Sequence, residues 1–195
     1  SWLLQFIRIT LEIFMKFSFK LLSILILLLL FSSAIHAQEL SFYDFDQIDY
    51  YSIDISTQDI SDIEYQRKKN SFEYEKISKK DSLFLSLLRN NYPETIQEDF
   101  PEKLIKYGFK KTDIDKKRYP EINTIFSEKP CNDDLGSFCI PTFRDIFIFR
   151  KKDQIVGIAK ICYSCHLATI IGTERNIRNF GSCGDFRKLQ ELMNK

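Results

Sequence analysis

Five consecutive residues carry most of the chemistry this sequence offers: Cys162-Tyr163-Ser164-Cys165-His166. C-x-x-C-H is the attachment pattern of c-type haem. Two thiols reach the two vinyl groups and the adjacent imidazole binds iron. Met193 is then the candidate second axial ligand. The same residues support other readings. Cys162 and Cys165 have zinc-ligand spacing, and Cys131, Cys139, His166 or Cys183 can complete a set of four. A C-x-x-C pair also suits thiol redox work, because the arrangement lowers a cysteine pKa. The plainest reading is structural disulfides or buried thiols. Leu167-Ala168-Thr169-Ile170-Ile171 follows the motif and reads as strand. That opposes the helical setting of c-type cytochromes and the helix that follows a thioredoxin motif.

The chain has five cysteines: Cys131, Cys139, Cys162, Cys165 and Cys183. Cys131 and Cys139 bracket a polar, turn-rich loop and are expected to pair with each other. Cys162 and Cys165 are each left to pair with Cys183 or with the other. Five is odd, so one thiol is free, haem-bound or intermolecular. The sequence also has two histidines, and His36 falls before the expected cut after Ala37. His166 then stands alone, which excludes two-histidine zinc sites and leaves a hydrolase only one base. There is no Gly-rich phosphate loop, and no catalytic residues are nominated.

The elements around these residues must be read next. Met15, Lys16 and Lys20 precede an apolar run from Leu21 to Phe31, then Ser32-Ser33-Ala34-Ile35-His36-Ala37. This is the pattern of a secretory signal peptide, with cleavage after Ala37. The run is too short for a comfortable membrane span, which takes about 20 residues. Residues 1–14 read as upstream of the natural start. The expected mature chain, 38–195, is one exported domain, periplasmic or extracellular, with no membrane span. It would hold 25 basic and 26 acidic residues. That balance speaks against nucleic acid as a partner, because phosphate binding demands a basic surplus. Residues 38–100 are net acidic and 101–195 net basic, which fits two halves packed on each other.

The strongest pattern lies in the last third. Residues 143–150 and 155–163 form a β-hairpin across the polar turn 151–154, with a third strand over 167–171 closed by Gly172. Asp185 caps a final helix with Phe186, Leu189, Leu192 and Met193 on one face. Earlier, 49–55 reads as a strand with Tyr51, Ile53 and Ile55 together, and 71–77 as a second strand. Asp81 caps a helix over 82–91. Another helix starts near Pro101, with Leu104, Ile105 and Tyr107 inward and Gly108 as its stop. Residues 110–130 contain one helical turn or short strand around Ile122, Ile125 and Phe126. Asp59, Asp62 and Glu64 lack the glycine and the terminal acid of a calcium loop and read as a solvated turn. The expected fold is α+β, an antiparallel sheet with short helices on one side.

Gly157 to Cys162, Ile171-Gly172-Thr173, Asn179-Phe180-Gly181 and Gly184 to Leu189 together resemble the tail of small exported proteins of Bacteroidetes-type bacteria. The resemblance covers about the last 40 residues and implies export, but no activity. The reading that follows is a non-enzymatic, interaction or envelope-associated protein with structural cysteines, no cofactor and a possible envelope protein partner. The alternatives are a haem c electron carrier using Cys162, Cys165 and His166, and an enzyme whose site is not legible.

Overall fold

A computed structural model describes residues 41–72, 79–89, 92–131 and 139–194. Its centre is the hairpin. Strands β3 (Asp145–Lys151) and β4 (Gln154–Cys162) pair antiparallel. β1 (Gln47–Ser52) lies on the other side of β3, β2 (Lys110–Asp113) flanks β1, and β5 (Leu167–Ile171) flanks β4. The order is β2-β1-β3-β4-β5, antiparallel throughout. This is the α+β architecture expected.

Ile146-Phe147-Ile148-Phe149 is buried at every position. Because strand side chains alternate between faces, an unbroken apolar run means both faces are covered. Phe147 and Phe149, with Ile48, Ala159 and Ile161, face one apolar layer. Ile146 and Ile148, with Tyr51 and Ile158, face another. Helices therefore pack on both sides, which corrects the one-sided arrangement read from sequence. On the second face lie α1 (Thr57–Phe72), α2 (Lys79–Arg89) and α3 (Phe100–Lys106), through Ile60, Leu85, Leu87, Leu88, Phe100 and Leu104. On the first face lie α4 (Tyr119–Ile125) and α5 (Asp185–Asn194), through Ile122, Ile125, Phe186, Leu189 and Leu192. A bulge between Phe149 and Arg150 shifts the register, so Ile155 joins the second face.

α1 replaces the strand expected from Ser71, and residues 73–78 of that expectation lie outside the described residues. Its start is a reciprocal cap. Ser56 Oγ accepts from Asp59 N at 3.0 Å, and the Asp59 carboxylate accepts from Ser56 N at 3.1 Å. Ser56 Oγ also donates to the Asp59 carboxylate at 2.6 Å, and this contact, with the backbone N–H, holds the exposed Asp59 below its ordinary pKa. α2 starts at Lys79, two residues before the cap expected at Asp81. α3 begins where Pro101 indicated, but Ile105 is 53% exposed rather than inward. The 110–130 region supplies β2, a 3-10 turn at Lys116–Arg118, and α4.

Residues 41–46 lead into β1 and place aromatic rings on the first layer. The Tyr43 ring stacks 4.5 Å from that of Phe149, and its hydroxyl donates to Ile171 O at 2.9 Å. The ring crosses the face of Gly157, where any Cβ would stand inside the Tyr43 carbons. Only glycine leaves that path open. Gly157→Ala should cost about 1–3 kcal/mol by overpacking, read as a lower denaturant midpoint. An unchanged midpoint would mean that the ring lies elsewhere.

Candidate functional site: a three-sulfur cluster at the end of the hairpin

β4 ends at Cys162 and β5 begins at Leu167, its register partner. Residues 163–166 make the turn between them, closed by His166 N donating to Tyr163 O. The C-x-x-C-H residues therefore straddle a strand end and a tight turn. Opposite them runs the segment that feeds β3. Phe143 N donates to Leu88 O at 2.8 Å, and Arg89 donates to Thr142 Oγ1 at 2.8 Å and to Glu64 at 3.0 Å. α2 thus fixes residues 140–143 beside the turn.

Three sulfurs meet there. Cys139 and Cys165 form a disulfide with Cα atoms 5.7 Å apart. Cys162 is a buried free thiol, 2% exposed. Its sulfur accepts a hydrogen bond from Thr142 N at 3.3 Å. Cys162, Cys165 and Phe143 form one apolar cluster, with Leu167 packed against it. The second disulfide, Cys131–Cys183, also has a 5.7 Å Cα separation and joins the end of the α4 region to the start of α5.

This pairing corrects the sequence expectation. Cys131 and Cys139 are both bridged, but to other partners. Cys183 takes Cys131, and Cys165 takes Cys139 rather than Cys162 or Cys183. The physical reason is tertiary. The chain leaves Cys131 beside the start of α5 and re-enters at Cys139 beside the 163–166 turn. The single free thiol that an odd count required is Cys162.

The other haem candidates are placed as follows. His166 is exposed at φ +50°, and its ring stacks on Phe186 at 5.4 Å. Met193 is partly buried against the first layer. With its sulfur bonded to Cys139, Cys165 has no thiol to offer a haem vinyl group in this covalent state. Among the described residues, no cluster of three or more His, Cys, Asp or Glu side chains is arranged to hold a metal ion.

Beside the sulfurs lies a group that the sequence reading did not single out. Lys160 shares the β4 face of Ile158 and Cys162 and is 0% exposed. Its ammonium donates to Tyr92 O at 2.8 Å and sits 4.7 Å from the Phe143 ring centroid. Burial pushes its pKa down to about 7. The signal was present in Gly-Ile-Ala-Lys-Ile-Cys, where a lysine occupies an inward strand position. Elsewhere, buried Asp49 is paired with Lys111 at 2.9 Å and Arg150 at 2.8 Å. Burial raises the Asp49 pKa, but these donors and Gln47 outweigh it and hold the carboxyl below its ordinary range. Asp145 accepts a short hydrogen bond from Tyr50, and burial pushes its pKa up. Asp185, expected to cap α5, accepts instead from Gly181 N at 3.2 Å, and pairs with Lys129.

No protein family, characterised protein or solved structure matches this chain. Function must therefore be argued from the residues themselves. Among the described residues, no helix is long and apolar enough to cross a membrane.

Lys160 gives a pH prediction. Between about pH 7 and its ordinary value of 10.5 the unfolded chain binds the lysine proton and the native chain does not. Stability therefore rises with pH across that window, at ~1.4 kcal/mol per unit from this residue. Lys160→Met should remove that slope and be more stable than the natural chain at pH 7. Denaturant titrations of both proteins from pH 6 to 10 check it, and parallel curves would refute it.

Proposed function

We propose that this chain is an exported, disulfide-stapled domain that acts by binding, as an envelope-associated or secreted interaction protein, rather than by catalysis. The observation that carries this reading is the pair of bridges. Cys131–Cys183 and Cys139–Cys165 span 52 and 26 residues and tie separate segments together. Such bridges form and persist outside the reducing cytosol. The signal-like segment 16–37 and the resemblance of the C-terminal residues to small exported proteins support the same compartment. The bridging of Cys165 favours structural cysteines over the haem c alternative.

The test is expression of the full chain, beginning at Met15, in a Gram-negative host that matures c-type cytochromes. The expected product lies outside the cytoplasm, starts at Gln38, carries two disulfides and one thiol by intact mass, and has no haem absorbance. An unprocessed, fully reduced cytoplasmic chain would overturn the export reading. A haem c band that survives acid-acetone extraction would overturn the structural role of the cysteines.

The longer bridge should matter to stability. By loop-closure entropy, a 52-residue loop corresponds to about 4 kcal/mol. Cys131→Ser/Cys183→Ser should lower the unfolding free energy by that order, measured by denaturant titration. A loss below ~1 kcal/mol would show that the bridge adds little.

A further inference from the structure

We propose that Cys139–Cys165 is an exchangeable bridge, and that Cys162 is the internal thiol that displaces Cys139 from it. The inference rests on the oxidised, exported state proposed above, but goes beyond structural cysteines by giving the three sulfurs a reaction. The segment Cys139–Thr142 touches all of them. Thr142 N donates to Cys162 Sγ at 3.3 Å, and the Ile140 carbonyl lies 3.6 Å from Cys165 Sγ and 3.8 Å from Cys139 Sγ. Cys162 and Cys165 also share the apolar cluster around Phe143.

The local chemistry suits Cys162 as nucleophile. The Thr142 N–H is aimed at its sulfur, the atom that attacks in exchange. Lys160, on the same strand face, holds its ammonium 4.7 Å from the centroid of the Phe143 ring that packs with Cys162 and Cys165. In the step, the Cys162 thiol gives up its proton to water and the thiolate attacks Cys165 Sγ. The Cys162–Cys165 bond forms, and the Cys139–Cys165 bond breaks. The electron pair leaves on Cys139, which takes a proton from water. One disulfide and one thiol stand on each side, so no oxidant or reductant is consumed.

The two states differ in what they present. Before exchange the thiol is buried at Cys162. Afterwards it is at Cys139, an exposed residue next to Ile140, which is 76% exposed. Exchange therefore turns an enclosed thiol into one that an external protein thiol or disulfide can reach. It also frees residue 139 from the 163–166 turn.

The experiment takes the oxidised full chain, incubates it natively with iodoacetamide for minutes to hours, the span of uncatalysed rearrangement, and maps labels and bridges by mass spectrometry. The expected result is label accumulating at Cys139 together with a Cys162–Cys165 bridge, and loss of that label in Cys162→Ser. Label confined to Cys162 with Cys139–Cys165 intact would overturn the exchange, as would label at Cys165. Cys139→Ser keeps the proposal testable if Cys162→Ser fails to fold. After export it should carry Cys162–Cys165, and finding both as free thiols would overturn the proposal. Five labelled cysteines in the natural chain would remove the oxidised reading and this one together, whereas an intact Cys139–Cys165 bridge removes only the exchange.

Discussion

The burial of β3 on both faces is the constraint on which the molecule depends. Two isoleucines point one way and two phenylalanines the other, and each pair must be removed from water. A single layer of helices cannot do that. The chain answers with α1, α2 and α3 over Ile146 and Ile148, and with α4, α5 and the 41–46 lead-in over Phe147 and Phe149. The aromatic side is dense. Phe126 lies 5.8 Å from Phe147, 4.9 Å from Phe149 and 5.2 Å from Phe180 between ring centroids. Offset and edge contacts of this kind add to the area buried.

Polar and covalent ties supplement that hydrophobic sandwich at three places. Asp49 is almost fully buried between β2 and β3, and its two cations come one from each neighbour. A buried carboxylate is tolerable only with such partners. At the start of α5, the Asp185–Lys129 ion pair and the Cys131–Cys183 bridge join the same two segments. At the far end of the hairpin, Arg89 and the Cys139–Cys165 bridge together hold the entry to β3 against the 163–166 turn.

Much of the last third was legible because its signals are local. The hairpin, β5 and α5 each announce themselves by periodicity or by turn residues within their own span. β2 was not legible, because all four of its residues are exposed and only pairing with β1 makes them a strand. α1 was misread because it buries little more than Ile60 among its described side chains. Asp59, Asp62 and Glu64 read as a solvated turn, although Asp59 makes the helix cap with Ser56. The double-sided burial of β3 is written in its unbroken apolar run, which an antiparallel sheet covered on one side only would leave half exposed. The disulfide pairing could not be read at all, because neither partner choice depends on sequence distance. Lys160 was overlooked for a similar reason. Its surroundings include Tyr92 and Phe143, which are distant from it in sequence, and are not set by its neighbours in β4 alone.

The position of β1 has a consequence for how the chain becomes a protein. β1 is one of the three inner strands, yet every residue of β3 with which it pairs lies roughly 100 positions later. Ile48 therefore has no strand partner, and Tyr51 has only Lys111 of the exposed β2, until the last third of the chain is present. The hairpin, by contrast, closes over neighbouring residues, and contacts that are close in sequence form fastest. A chain that emerges from its N-terminus must carry the β3-facing edge of its first strand unpaired through most of synthesis. The end of the chain is thus the template for the inner edge of its beginning.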